Sequence, residues 1–138
     1  MSTLYAESSA VLAWLLGESG SSEAMRRINE AETVVTSVLT LLETERALIR
    51  AENQGLLGAA ESQKLRGMLA RAAGSWVLME ISEDVLRGAG RVFPAEPVRT
   101  LDALHLATAL LFIQAFPDLR MLTFDQRIDA NSRALGIL

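Results

Sequence analysis

The stretch Arg99–Leu111, RTLDALHLATALL, decides how the rest of the chain is read. Leu101, Leu104, Ala107, Leu110 and Leu111 recur at three- and four-residue spacings, which predicts a helix that is almost entirely apolar and therefore buried. In its midst sits Asp102. An ionised carboxylate is costly to bury unless an Arg or Lys side chain, a helix N-terminus or a metal ion meets it. A helix start near Thr100 puts Asp102 in the first turn, where the macrodipole favours an anion. That suffices for one carboxylate taken alone, so a chemical role depends on what else converges on it.

Composition bounds the answer. A chain of 138 residues is one domain, residues 1–138, with room for a real core. Half of it is hydrophobic, more than a small isolated domain needs, which suggests that part of its surface is hidden against another chain. No apolar run is long enough to span a membrane, and no basic region precedes an apolar one at the N-terminus. There is no Cys, hence no disulfide and no thiolate metal site, and the expected setting is the cytoplasm. Thirteen basic and 17 acidic residues give a net charge of −4. That argues against holding nucleic acid by bulk charge, but not against cutting it at a metal.

Outward from the central helix, strands and helices alternate. Strands are expected at Ser2–Ala6, Thr33–Thr36, Trp76–Ile81 and Arg120–Thr123, with a last short one at Gly136–Leu138. Helices are expected at Ser9–Leu16, Ser19–Ala31, Ser37–Ala51, Gly58–Ala73, Glu83–Val92 and Gln126–Leu135, the last capped by Asp125. Trp14 lies off the apolar stripe of its helix, as a core residue or an exposed partner-binding anchor. The alternation predicts an α/β fold: a short, mostly parallel sheet of four or five strands with helices on both faces.

In such folds sites form beyond the carboxyl ends of the strands. Glu7 follows the first strand, Glu43 lies in the helix after the second, Asp125 follows the fourth, and Asp102 opens the helix before it. Carboxylates aimed at one pocket repel one another unless a divalent cation neutralises them. Oxygen ligands without Cys suit Mg²⁺ or Mn²⁺ better than zinc. His105, one turn after Asp102, is a poor basis for zinc and is expected to pack beside Asp102 or to hydrogen-bond locally. Glu43 has the alternative of a helix N-terminus or a nearby Arg46.

Four segments, YAESSAVLAWLLGE, SVLTLLETERAL, RTLDALHLATAL and MLTFDQRIDANSRALGI, together resemble a PIN domain, and within that family a VapC toxin of a bacterial toxin–antitoxin pair. The resemblance runs over essentially the whole chain. It implies a PIN-like three-layer fold and a Mg²⁺- or Mn²⁺-dependent ribonuclease. By position it implies a catalytic set of Glu7, Glu43, Asp102 and Asp125, with Glu7, Asp102 and Asp125 as metal ligands and Ser8 and Thr123 as supporting hydroxyls. It also implies an RNA substrate and a cognate antitoxin; the excess apolar content is compatible with a groove for an antitoxin segment and with a homodimer, for which the helices carrying Trp14 and Leu41–Leu48 are candidate surfaces. Arg99 and Arg127 stand as candidate RNA-backbone contacts or as plain surface charges.

The family pattern has Asp where this chain has Glu7. The longer side chain moves the carboxylate outward by roughly 1.5 Å, and octahedral Mg²⁺ tolerates misplacement badly. A catalytically weakened or inactive PIN-like module that binds RNA or protein is therefore the alternative. A phosphotransfer fold has less support, because the chain contains neither GxxxxGK[ST] nor GxGxxG.

Overall fold

The computed structural model describes residues 2–138. In chain order the elements are β1 (Thr3–Ala6), α1 (Ser8–Leu16), α2 (Ser21–Glu30), β2 (Thr33–Ser37), α3 (Val38–Asn53), α4 (Ala59–Ala73), β3 (Val77–Met79), α5 (Glu83–Ala89), α6 (Thr100–Ala115), β4 (Arg120–Leu122) and α7 (Gln126–Ala134). The strands form one four-stranded sheet in the order β3-β2-β1-β4. Every pairing is parallel. The chain winds outward from β1 through β2 to β3, then returns to place β4 on the other side of β1. The crevice between β1 and β4 is thus the topological switch point, where α/β folds build their sites.

All of β1 is buried, as expected of a parallel strand covered on both faces. Successive side chains alternate between the faces. Tyr5, Val35 and Met121 pack against Leu106, Ala109 and Phe112 of α6 and Ile128 of α7. Leu4 and Ala6 face the other way, onto Ala10 and Val11 of α1, Ala24 of α2 and Leu69 of α4. The central helix is apolar around its circumference because it is covered twice, by the sheet and by α5. Val85 of α5 packs on Leu104 and Ala107. Gly88 permits this approach, since a Cβ there would lie 3.2 Å from that of Ala107.

Some expectations need correction. The C-terminal segment Gly136–Leu138 is not a strand: Gly136 turns the chain in the left-handed region, φ 74°, and a single bond from Met121 N–H to the Ile137 carbonyl replaces a ladder. Helix α5 stops at Ala89, short of Val92, and β3 is confined to Val77–Met79. Leu101, grouped with the buried stripe, is 47% exposed, because it precedes by one turn the first α6 residue that α5 covers. Trp14 is half-buried rather than exposed, wedged against apolar groups of both α2 and α4.

The two leucines separate helix periodicity from actual packing. Leu106→Ala, at a fully buried position, should lower unfolding free energy by about 2–5 kcal/mol in urea denaturation. Leu101→Ala should stay within about 0.5 kcal/mol.

Candidate active site

Ala6 at the end of β1 pairs with Leu122 at the end of β4, so Glu7 and Thr123 emerge side by side at the switch point. Glu7 is the N-cap of α1, and its side chain folds back over the start of that helix. Its Oε2 accepts from the Ser9 backbone N–H at 3.0 Å and from the Ser8 hydroxyl at 2.7 Å. Its Oε1 accepts from the hydroxyls of Ser9 and Thr123, both at 2.5 Å. A carboxylate offers about four lone-pair directions, and here each faces a protein donor. Thr123 Oγ1 in turn accepts from the Asp125 backbone N–H, and Ser9 Oγ from that of Phe124.

Glu43 stands in α3 at the far side of Ser8. Its Oε1 is 2.7 Å from the Ser8 hydroxyl and 2.6 Å from His105 Nε2. The hydroxyl carries one proton, so it serves Glu7 or Glu43 but not both at once. Burial pushes the Glu43 carboxyl up, yet its hydrogen bonds from His105 and Ser8 outweigh burial and hold the group below the ordinary range. The sequence predicts that His105 packs beside Asp102 or hydrogen-bonds locally; its hydrogen bonds are instead long-range, and Glu43 does not pair with Arg46. The ring reaches from α6 across to α3 and, through Nδ1, to the Tyr5 hydroxyl of β1 at 2.9 Å.

Asp125 caps α7, its Oδ1 accepting from the backbone N–H groups of Arg127 and Ile128, both at 2.9 Å. Asp102 lies in the first turn of α6 as expected. Its Oδ2 is buried without a hydrogen-bond partner among the described residues. Burial raises its pKa most, and the negative charge of Asp125 adds to that. The Arg99 backbone pulls it down, Glu7 pushes it up again, and the Arg99 guanidinium opposes. Electrostatics thus links Asp102 to both Asp125 and Glu7, while Glu7 and Glu43 are joined through Ser8. The four acids expected from the sequence are gathered at one end of the sheet.

Ligand atoms of Glu7, Glu43 and His105 lie within 4.8 Å of one another. That trio is a weaker cation site than it looks, because a 2.6 Å contact to a carboxylate needs a proton on Nε2. The unmet demand for positive charge is at Asp102, whose orphaned oxygen faces like charges. Tyr5 and Ser9 are site residues that the sequence does not single out, and His105 has a longer reach than the local role expected of it. One signal was available for His105: it follows Asp102 by three residues and so shares its helix face.

An acidic cluster at the switch point of a 3-2-1-4 parallel sheet defines a class, and the comparison with known sequences agrees with it. Residues 4–133 match the PIN domain family, and the chain belongs to it. Its relatives place it in the VapC-type branch of that family. It is 33% identical over 138 residues to Ribonuclease VapC46 of Mycobacterium tuberculosis, covering 99% of this chain and 95% of that protein. It is 31% identical over 103 residues to Ribonuclease VapC35 of the same organism, covering 75% of this chain and 68% of that protein. Among solved structures, the fold is similar to Mycobacterium tuberculosis VapC20, a sarcin–ricin loop cleaving toxin, with a TM-score of 0.68 at 18% identity, covering 98% of this chain and 96% of that one. It is also similar to a toxin–antitoxin complex from Klebsiella pneumoniae, with a TM-score of 0.64 at 17% identity, covering 94% and 91%.

The orphaned carboxylate has a measurable cost. In the presence of chelator, Asp102→Asn should melt at a higher temperature than the wild-type protein at neutral pH. Because folding raises the Asp102 pKa, the folded state holds this proton more tightly than the unfolded chain. The penalty is therefore full above the folded-state pKa and vanishes as pH falls below the unfolded value. The gap between the two melting temperatures should accordingly close on acidification.

Proposed function

We propose that the chain is a divalent-metal-dependent endoribonuclease, the toxin of a VapBC-type pair. The observation that carries this reading is the buried, partnerless Oδ2 of Asp102 beside Asp125 and Glu7. An arrangement that is costly in isolation becomes favourable around a cation, and a set of carboxylate oxygens suits Mg²⁺ or Mn²⁺. Asp102, Asp125 and Glu7 would hold the ion. When bound, it would polarise the phosphodiester and lower the pKa of an attacking water.

The remaining work falls to the chain itself. A carboxylate oxygen of Glu43 lies within 4.8 Å of one of Glu7, but its Oε1 is engaged by His105 and Ser8, which leaves it in a position to orient or accept a proton from water. Ser8 and Thr123 fix the orientation of Glu7. The additional methylene of Glu7, relative to the family Asp, is absorbed by folding back onto Ser9. The hydroxyls of Ser9 and Thr123 can rotate to release a lone pair. Arg99 is exposed and Arg127 half-buried at the starts of α6 and α7, where both could reach an RNA backbone.

Leu42 and Ile49 on α3 and Leu101 on α6 are exposed. Leu42 adjoins Glu43 and Leu101 adjoins Asp102, so an antitoxin segment seated on these side chains would cover the acids. Pairing into homodimers would use further apolar surface, and the working compartment would be the cytoplasm.

The close engagement of Glu7 by protein donors favours a second reading, a PIN-like module that binds RNA or protein without cutting. A cleavage assay on a mixed RNA pool separates the two. The nuclease should cut with Mg²⁺ or Mn²⁺, stop in chelator, and lose roughly 100-fold or more in rate in Asp102→Asn or Asp125→Asn. Divalent ion should also raise the melting temperature of the wild-type protein and not of Asp102→Asn. Cutting that survives both substitutions would refute the metal site. Absence of both cutting and thermal response would favour the non-catalytic module.

A further inference from the structure

Two fully buried groups and one half-buried acid, from three different elements, form a hydrogen-bonded series. Tyr5 of β1 is 0% exposed and His105 of α6 is 1% exposed, and Glu43 of α3 completes the series. The 2.6 Å contact between His105 Nε2 and Glu43 Oε1 requires the ring to donate from Nε2. In the neutral ring Nδ1 is then the acceptor, with the Tyr5 hydroxyl 2.9 Å away placed to donate to it. Burial keeps that phenol far above its ordinary range, so its proton stays available to donate. A neutral imidazole free in water exchanges its proton between the two nitrogens, whereas here the hydrogen bond at one nitrogen settles the other.

The consequence falls on Glu43. Its Oε1 is occupied by His105 and Ser8, while its Oε2 makes no hydrogen bond among the described residues. We propose that His105, locked in one tautomer by Tyr5, is a positioning residue that pins one oxygen of Glu43 and leaves the other directed to the reacting phosphodiester. This rests on the nuclease reading above, and it adds two residues outside the acidic set. Neither touches substrate.

Tyr5→Phe tests this directly. It removes the hydroxyl and preserves the ring, with its edge contacts to His105 and Phe112. Losing an outer partner of a functional side chain commonly costs roughly 10- to 100-fold in activity. The expected result is a fall of that size in kcat, with KM changed by less than about twofold. His105→Leu should lose at least as much. His105→Gln, whose amide can donate near the Nε2 position, should recover part of the loss. In a Glu43→Gln background, Tyr5→Phe should cost nothing further, because the effect travels through Glu43. Unchanged kcat in Tyr5→Phe, or a full additional loss in the Glu43→Gln background, would overturn the proposal.

Nitrogen-15 NMR of the single histidine reads the lock without any cleavage. The wild-type ring should carry its proton on Nε2 with Nδ1 as acceptor, and Tyr5→Phe should disturb that state. A proton on Nδ1, or a spectrum indifferent to Tyr5→Phe, would refute the lock. Should the wild-type protein fail to cut any RNA, the nuclease reading falls while the ring spectrum still decides the lock. If His105→Leu does not fold, Tyr5→Phe and His105→Gln carry the test.

Discussion

One buried carboxylate, Glu7, holds together the elements on which the site stands. Its acceptor directions are met by a backbone amide and the hydroxyls of Ser8, Ser9 and Thr123. Those bonds tie the end of β1 to the start of α1 and to the end of β4. Charge-assisted bonds of this kind are roughly twice as strong as neutral ones. Unpaired, a carboxylate that is 4% exposed would be among the most costly groups in the molecule.

The four acids solve the same electrostatic problem in different ways. Glu7 is stabilised by neutral hydroxyls and an amide, Asp125 by the first amides of α7, and Glu43 by an imidazole. Asp102 alone keeps a buried oxygen with no donor. The Oδ2 of Asp118, beside Thr3 at the start of β1, is buried and unmet among the described residues as well; what sets Asp102 apart is the like charge of Asp125 and Glu7 around it. On the nuclease reading proposed above, a divalent cation would meet that charge.

Much of this was legible from residue order, because it is local. The apolar period of Arg99–Leu111, the β-branched run Thr33–Thr36 and the cap at Asp125 each act within a few residues of themselves. The positions of the acids relative to strand ends followed from the alternation of elements. What escaped was long-range. The partners of His105 lie 100 and 62 residues away in sequence, and nothing in RTLDALHLATALL points to them. Periodicity likewise put Leu101 on the buried stripe, since spacing fixes a face but not how far along the helix its cover extends. The conformation of Glu7 depended on Thr123, which reaches it only after the whole chain has folded back.

That last separation bears on the order of events during synthesis. Glu7, just past the end of β1, is synthesised long before β4 follows, and the bond between Thr123 and Glu7 spans 116 positions. Closing so large a loop is slow compared with forming the local helices between its ends. A nascent chain still lacking β4 has neither Thr123 nor Asp125, and its central strand has one open edge. On the nuclease reading proposed above, cleavage of RNA would be withheld from each copy still on the ribosome until β4 docks.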